Sequence, residues 1–327
     1  MLGTSYLSAG NLNAALSNLT AVVEKNPQDY DTWIALSELY QATGDLEPAM
    51  HAAERAAEVN PNGVKACLQA GRISWANGDL KQATAHAESA IALDPADPAN
   101  YVFLARLARE QGNTAKALEL LEKAAGVDPA PLQTVIEHAN LIKEINGVVA
   151  ARDLIAEFSR KFPENPDLLT LLAEAEDQCG DLPSAESAAK KALDIKPTEQ
   201  AIHLLLGRIV EKNGNLDQAA HYYSQAVSLD VARIDGYLKL SQVYIKQREF
   251  QKARRVLEQG IGKIPGNVDL YLSCAALLKE SKDYRGAEQM LRKASQIEPR
   301  NVAIHRQLGA ILALNMVHQS QEVGSQV

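Results

Sequence analysis

The residues that could carry chemistry in this chain do not stand in catalytic patterns. A glycine-containing segment, GIGKIP at 260–265, resembles part of a phosphate-binding loop but lacks the upstream glycine and the hydroxyl residue of that motif. No segment has the GxSxG pattern of a serine hydrolase or the HExxH pattern of a zinc peptidase. The cysteines Cys67, Cys179 and Cys274 form no CxxC pair, so no structural zinc site is indicated. We therefore predict a non-enzymatic protein with no catalytic residues, no metal site and no cofactor.

The charge balance limits the possible partners. With 33 Lys and Arg residues against 41 Asp and Glu residues, the net charge is −8, which argues against a surface for nucleic acid or anionic lipid. No stretch approaches the ~20 apolar residues that a membrane span needs. The first ten residues have neither the basic start nor the apolar run of a signal peptide. We predict a cytoplasmic protein with protein partners, no nucleic-acid partner and no direct membrane insertion.

A period of 34 residues organises the whole chain. Prolines mark it at Pro27, Pro61, Pro95, Pro129, Pro163 and Pro197 and again at Pro265 and Pro299, with Val231 at the place between. A fixed period of this length indicates an array of like structural units. We place eight complete repeats over 30–301, starting at 30, 64, 98, 132, 166, 200, 234 and 268. An incomplete unit precedes them at 1–29, an unpaired or capping helix follows at 302–318, and 319–327 is a polar tail.

Each repeat reads as two helices joined by a tight turn. We number its positions 1 to 34, with Tyr30 as position 1 of the first complete repeat. Trp33, Leu36 and Tyr40 have the spacing of one helix face. Glycine recurs at position 15, where it can close a helix in the left-handed conformation without a Cβ clash. Asn or Asp recurs at position 16, where the side chain can accept from the first free N–H groups of the next helix.

Small residues recur at two packing positions. Position 8 is Gly, Ala or Ser in every unit, and position 20 is alanine in all nine units that contain it. Small side chains at both places let two helix backbones approach closely, and a larger one would overpack at a cost of ~1–3 kcal/mol. The phase of these residues therefore predicts paired helices throughout the chain.

These residues resemble the tetratricopeptide repeat family. Its pattern has large residues at positions 4 and 24, Leu at 7, a small residue at 8, Tyr at 11, Ala at 20 and 27, and Pro at 32. The repeat that begins at Tyr30 matches all of these except position 24, with Trp33, Leu36, Ser37, Tyr40, Ala49, Ala56 and Pro61. The resemblance implies an all-α protein, a right-handed α-solenoid or superhelix of about nine helix-turn-helix units. The first helix of each unit is then expected to line a concave groove.

The resemblance also implies which residues face the groove, namely those at positions 2, 5, 6, 9, 12 and 13. On this basis we predict a site that binds an acidic, partly apolar peptide. It is formed by Lys65, Leu68, Gln69, Arg72, Trp75, Phe103, Arg106 and Arg109. Arginine offers a planar fork for carboxylates, and Trp75 and Phe103 can hold apolar side chains. The alternative is that Trp75 packs between repeats and that the arginines pair with Glu38, Glu110 and Glu137. A secondary groove patch is expected at Leu204, Leu205, Arg208 and Leu238.

Two functions remain open at this point. The first is a scaffold for protein–protein interaction that binds an extended peptide segment of a partner in the groove. The alternative is a non-catalytic arm of a larger glycosyltransferase or of a bacterial polysaccharide, pilus assembly or secretion system, motivated by ends that look cut within a repeat. Self-association through exposed apolar ends is a further expectation.

Several positions depart from the repeat pattern. His203 and His305 occupy position 4, where we expect partly buried packing side chains rather than ligands. Arg248 and Lys282 occupy the glycine position, and the repeat starting at 132 has Asn146 there. We expect altered stacking in that repeat without a domain boundary.

Overall fold

The computed structural model describes residues 12–126 and 132–324, and within these ranges the chain forms α-helices joined by short turns. By its internal packing the chain divides into two compact units, the first ending at Ala151 and the second beginning at Arg152. The first unit contains α1 (Leu12–Lys25), α2 (Tyr30–Thr43), α3 (Leu46–Val59), α4 (Val64–Ala76), α5 (Leu80–Leu93), α6 (Pro98–Glu110), α7 (Thr114–Ala125) and α8 (Leu132–Asn146). Helix α9 (Val148–Lys161) contains the boundary. The second unit continues with α10 (Pro166–Cys179), α11 (Leu182–Ile195), α12 (Gln200–Lys212), α13 (Leu216–Leu229), α14 (Ile234–Lys246), α15 (Phe250–Lys263), α16 (Val268–Glu280), α17 (Tyr284–Ile297) and α18 (Val302–Gly324).

The helices pack in the order of the repeats. In the first unit α2 packs on α3, α4 on α5 and α6 on α7, and each second helix also packs on the first helix of the next repeat. First helices contact one another across repeats as well, as α2 does with α4 and α6 with α8. The second unit repeats this scheme with α10 to α18. The predicted all-α solenoid fold is therefore confirmed in each unit.

The small residues lie where the two helices of a hairpin cross. The Ser37 hydroxyl at position 8 donates a hydrogen bond to the carbonyl oxygen of Ala49 at position 20, 2.7 Å away, and both residues are fully buried. At Gly207 the approach is closer still, because a Cβ built there would lie 2.5 Å from Cε1 of Tyr223. These contacts confirm why positions 8 and 20 exclude large side chains.

The turn inside each hairpin follows the predicted chemistry in most repeats. Gly44 adopts φ = +87°, a left-handed conformation that ends α2, and Asp79 caps α5 by accepting a hydrogen bond from the backbone N–H of Gln82. Arg248 and Lys282 hold the same left-handed conformation, with φ = +60° and +61°. Unlike glycine, both residues carry a Cβ that disfavours this conformation, and the helices on either side hold the turn in it.

The repeat that begins at 132 has a different turn. Asn146 is the last residue of α8, and the left-handed residue is Gly147, with φ = +88°, one position later than in the other repeats. The connection to α9 is Gly147 alone, against two or three residues in the other described hairpins, and it lacks the Asx cap. The division into two compact units falls between Ala151 and Arg152, within α9 of this repeat. The expectation that no domain boundary occurs here stays a prediction.

Side chains at position 4 explain why this place takes aromatic residues and histidine. Trp33, Tyr101 and Tyr271 donate hydrogen bonds from their polar tips to the carbonyl oxygen of the proline six residues earlier, at 2.9, 3.0 and 3.2 Å. His203 and His305 place Nε2 2.9 and 2.8 Å from the equivalent carbonyl oxygens. His203 is buried as expected, whereas His305 makes the same contact while exposed.

The terminal regions extend the predicted pattern in part. Helix α1 supplies the second helix of the unit predicted over 1–29, and residues 1–11 lie outside the described residues. Helix α18 continues to Gly324, six residues beyond the predicted end at 318, so most of the predicted polar tail is helical. Residues 325–327 lie outside the described residues.

Candidate functional site

A cavity of about 560 Å³ opens on the exposed face of the first helices in the first unit. Helices α4 and α6 form its walls, and the N-terminal turn of α8 closes one side. It is lined by Gln41, Arg72, Trp75, Ala76, Asp97, Pro98, Ala99, Val102, Phe103, Arg106, Gln133 and Thr134.

The floor of this cavity is aromatic and held in place. The rings of Trp75 and Phe103 lie 5.9 Å apart between centroids at an interplanar angle of 53°. The indole Nε1–H of Trp75 donates to the carboxylate of Glu110, which fixes the ring against α6. Phe103 is 7% exposed and packs so close to Gly71 that a Cβ there would lie 2.8 Å from Cε1 of the ring. The glycine at position 8 therefore decides where the floor of the cavity lies.

The arginines around the cavity differ in their partners. Arg106 forms an ion pair with Glu137, with 2.6 Å between Nη2 and Oε1, and Arg109 approaches Glu144 at 3.4 Å. Arg72 is exposed and forms neither an ion pair nor a hydrogen bond with any residue that the structure describes. The alternative expected from the sequence thus holds for Arg106, and it leaves Arg72 as a guanidinium available to a ligand.

The predicted site residues separate into two groups. Arg72, Trp75, Phe103 and Arg106 line the cavity together. The other four residues lie outside the lining of the cavity. Gln69 is buried and donates a hydrogen bond to Gln41 at 2.9 Å, and Leu68 packs against the hydrophobic core. Lys65 and Arg109 are exposed outside the cavity.

The sequence analysis missed part of the lining. Asp97 lies in the connection between repeats and caps α6 by accepting from the backbone N–H of Ala99, and Pro98 is the first residue of α6. Ala99 and Gln133 both occupy position 2, which the groove pattern already contained, so their position was a usable signal.

The secondary patch forms a smaller cavity of about 250 Å³ in the second unit. Leu204, Leu205 and Arg208 line this cavity, whereas Leu238 lies outside its lining and packs against the core of the unit. The remaining lining residues are Glu174, Ala201, Tyr223, Arg233, Asp235 and Lys239.

Polar side chains at positions 12 and 13 connect consecutive first helices beside both cavities. In the first unit position 12 supplies the donor and position 13 the carboxylate, and in the second unit this order is reversed. The pairs are Trp75–Glu110, Arg109–Glu144 at 3.4 Å, Asp177–Lys212 at 2.6 Å and Glu211–Lys246 at 2.7 Å.

Two carboxylates of the second unit are unusually enclosed. The side chain of Asp177 is 4% exposed and contacts Arg208 at 3.3 Å in addition to Lys212. Glu211 accepts hydrogen bonds from Lys246 and from the Tyr223 hydroxyl, 2.8 Å away. Burial alone would raise the pKa of Glu211, but these hydrogen bonds outweigh it and hold the pKa below its usual value. Burial, followed by the bond to Glu211, raises the pKa of Tyr223.

Neither a metal cluster nor a membrane-spanning helix occurs in the part of the chain that the structure describes. Across residues 12–126 and 132–324, no group of three or more His, Cys, Asp or Glu side chains could hold a metal ion. Over the same ranges, every helix is too short or too polar to cross a bilayer.

Comparison with known proteins identifies the repeats. A tetratricopeptide repeat model matches residues 6–71, 74–134 and 212–278, and a second tetratricopeptide repeat model matches 148–200. No curated protein matches the chain significantly.

Among solved structures, two similar folds are the APC/C hetero-tetramer Cut9-Hcn1 and a tetratricopeptide repeat protein from Parabacteroides merdae ATCC 43184. The first is 14% identical with a TM-score of 0.45 over 92% of this chain, which spans 59% of the length of that chain. The second is 18% identical with a TM-score of 0.47 over 76% of this chain and 98% of the other. Since the family models together cover more than half of the sequence, this chain belongs to the tetratricopeptide repeat family.

Proposed function

We propose that this chain is a non-enzymatic interaction scaffold that binds an extended, acidic and partly apolar peptide segment of a partner protein in the 560 Å³ cavity of the first unit. Tetratricopeptide repeats generally act as scaffolds for protein–protein interaction and are generally non-catalytic. The observation that carries the proposal is the exposed Arg72 guanidinium, free of protein partners among the described residues, at the edge of an aromatic floor.

The two parts of the cavity select two features of a ligand. Trp75 and Phe103 offer apolar surface that is already ordered, so an apolar side chain can bind there at a small cost in conformational entropy. The guanidinium of Arg72 can take a carboxylate of the same peptide with two parallel N–H···O bonds. Arg106 contributes less, because Glu137 already neutralises it.

A fluorescence titration tests this proposal. The chain has two tryptophans, so Trp33→Phe leaves Trp75 as the single reporter of the cavity floor. The probe is the blocked peptide acetyl-Asp-Asp-Leu-Asp-Asp-amide, and acetyl-Asn-Asn-Leu-Asn-Asn-amide is its uncharged counterpart. We expect a saturable change in the emission of Trp75 with the acidic peptide and weaker binding of the uncharged one.

The variant Arg72→Gln should weaken the acidic peptide about threefold to tenfold, the range expected for losing one partly exposed charge-assisted contact. The matched control is Arg255→Gln, which removes an exposed arginine on α15 in the other unit. Equal binding by the two variants, or an emission of Trp75 that the peptide does not change, would refute the proposed site. The alternative role, as a non-catalytic arm of a larger assembly, would use the same cavity and stays a prediction.

A further inference from the structure

The two cavities are built from the same positions of the repeat. Each uses position 9 of one repeat, positions 2, 5, 6 and 9 of the next, and position 2 of the third. The corresponding residues are Arg72 and Glu174, Ala99 and Ala201, Val102 and Leu204, Phe103 and Leu205, Arg106 and Arg208, and Gln133 and Asp235. The smaller cavity is therefore the structural equivalent, three repeats further along the chain, of the larger one.

The charges around the two cavities are arranged in opposite order. In the lining of the first cavity, the cation without a partner among the described residues is Arg72, on the preceding repeat, and Glu137 on the following repeat neutralises Arg106. In the second unit Glu174 takes the place of Arg72, and Lys239 takes the place of Glu137 at position 6 of the following repeat.

The central arginine of the second cavity is neutralised from the other side. Arg208 pairs with Asp177 on the preceding repeat, with 3.3 Å between Nη2 and Oδ2. Lys239 is exposed and forms no ion pair or hydrogen bond with the described residues, although its charge helps to lower the pKa of Glu211, which already pairs with Lys246. Arg233 also lines the cavity, but it approaches Asp235 at 3.6 Å and donates to Gln200 at 3.3 Å. The lining cation without a partner among the described residues is therefore Lys239, on the following repeat.

The floor and the size of the second cavity limit what can enter it. Leu205 is buried, Leu204 is half-buried, and the ring of Tyr223 is held by its hydrogen bond to Glu211, so the floor is apolar and ordered. The volume of about 250 Å³ lies below the ~300 Å³ at which pockets for whole small molecules begin. One aliphatic side chain is the natural occupant.

We infer that this cavity of the second unit is a second peptide-binding site, which takes one aliphatic side chain with an acidic neighbour directed at Lys239. Glu174 repels an acid on the side of the preceding repeat, so the site discriminates by repulsion as well as by attraction. The inference shares its mode of binding with the proposed function but uses other residues, so either can fail without the other.

Nuclear magnetic resonance of the intact chain separates the two sites. The acidic probe acetyl-Asp-Asp-Leu-Asp-Asp-amide carries carboxylates on both sides of its leucine, so it meets Lys239 in either direction. We expect saturable shifts of the Leu204 and Leu205 amides, read independently of the indole of Trp75. The uncharged Asn peptide should bind more weakly at these amides.

Lys239→Gln should weaken the response of Leu204 and Leu205 about threefold to tenfold and leave the response of Trp75 unchanged. Lys263→Gln, which removes an exposed lysine at the end of α15, is the matched control and should change neither response. Glu174→Gln should strengthen binding at the second site about twofold to fivefold, because it removes the repulsion. Absence of saturable shifts at Leu204 and Leu205, or equal binding by the Lys239 and Lys263 variants, would overturn the inference even if Trp75 responds.

Discussion

Replacing Gly207 by alanine should destabilise the hairpin formed by α12 and α13. The added Cβ would lie 2.5, 2.6 and 2.9 Å from Cε1, Cδ1 and Cζ of Tyr223, whereas carbon atoms in favourable contact are ~3.5–4.0 Å apart. The ring would have to move by roughly 1 Å, yet it is fully buried and its hydroxyl is bonded to Glu211. The site therefore has little freedom to relax.

The expected magnitude combines two opposing effects. Overpacking of this kind destabilises a protein by ~1–3 kcal/mol, whereas the higher helix propensity of alanine stabilises the helix by ~0.8–1.0 kcal/mol relative to glycine. With three atoms inside 3.0 Å the upper part of the overpacking range applies, so the free energy of unfolding should fall by about 1–2 kcal/mol.

Gly309 provides a matched control at the same repeat position. It lies within α18, and a Cβ built there meets no atom within 4 Å. Gly309→Ala should therefore stabilise its helix by ~1 kcal/mol through helix propensity alone. The same substitution at one repeat position thus has opposite signs, set by whether a second helix packs there.

Amide hydrogen exchange is the suitable assay, because a repeat array opens locally as well as globally. The free energy of opening for amides in α12 and α13 should drop in Gly207→Ala and stay unchanged in helices of the first unit. In a Tyr223→Leu background the ring is absent, so Gly207→Ala should become neutral or mildly stabilising. An equal loss in both backgrounds would show that the clash with Tyr223 is not the cause.

Four other features lead to expected outcomes. Arg248→Gly should stabilise the turn between α14 and α15 by about 0.5–1 kcal/mol, since glycine relieves the left-handed strain at φ = +60° but loses more entropy on folding. Urea denaturation of the parent chain and the variant would measure this difference in the free energy of unfolding, and a destabilised variant would contradict the prediction. The pKa of Glu211 is lower in the folded chain than in the unfolded chain. The ionised side chain therefore contributes its full stabilisation above the usual pKa of 4.5, and this stabilisation is lost as the pH falls through the lower, folded-state pKa. Glu211→Gln should remove this part of the acid dependence of the thermal midpoint. Burial raises the pKa of Cys274 to about 11, so at pH 8 a disulfide reagent should modify it far more slowly in the folded than in the urea-unfolded chain, and equal rates would refute its burial. Helix α18 exposes Val302 and Met316 by 78% and 70%, so we expect a molar mass in light scattering that rises with concentration and falls back in Met316→Lys; a constant mass would end this idea.

The fold could be predicted from the sequence because its determinants recur. Small residues such as Ser37 and Ala49 have a single physical role, which is to let helix backbones meet, and the 34-residue phase repeats that signal nine times. The turn at Gly147 escaped prediction because the glycine stands one residue later than the period requires. A single displaced glycine is a weak signal beside the six units that keep glycine at position 15.

The candidate site was only partly predictable, for two physical reasons. Arg72, Trp75, Phe103 and Arg106 lie on the same face of two consecutive first helices, α4 and α6, so their register indicated the cavity. Pro98 lies at the junction between a connection and a helix, where the period gives no direction for the side chain. The choice of ion-pair partner depends on rotamers and distances of a few tenths of an ångström, which a sequence does not contain.

The reversed order of the position 12 and 13 pairs distinguishes the repeats of the first unit from those of the second. A deletion of 34 residues, or of a multiple of 34, would leave the pattern of small packing residues intact. A deletion of residues 132–199 would join the repeat of Arg109 directly to that of Lys212, set two cations side by side and remove Asp177, the partner of Lys212. Electrostatic mismatch thus opposes deletions that join a repeat of one order to a repeat of the other order, whereas the small residues alone would accept them.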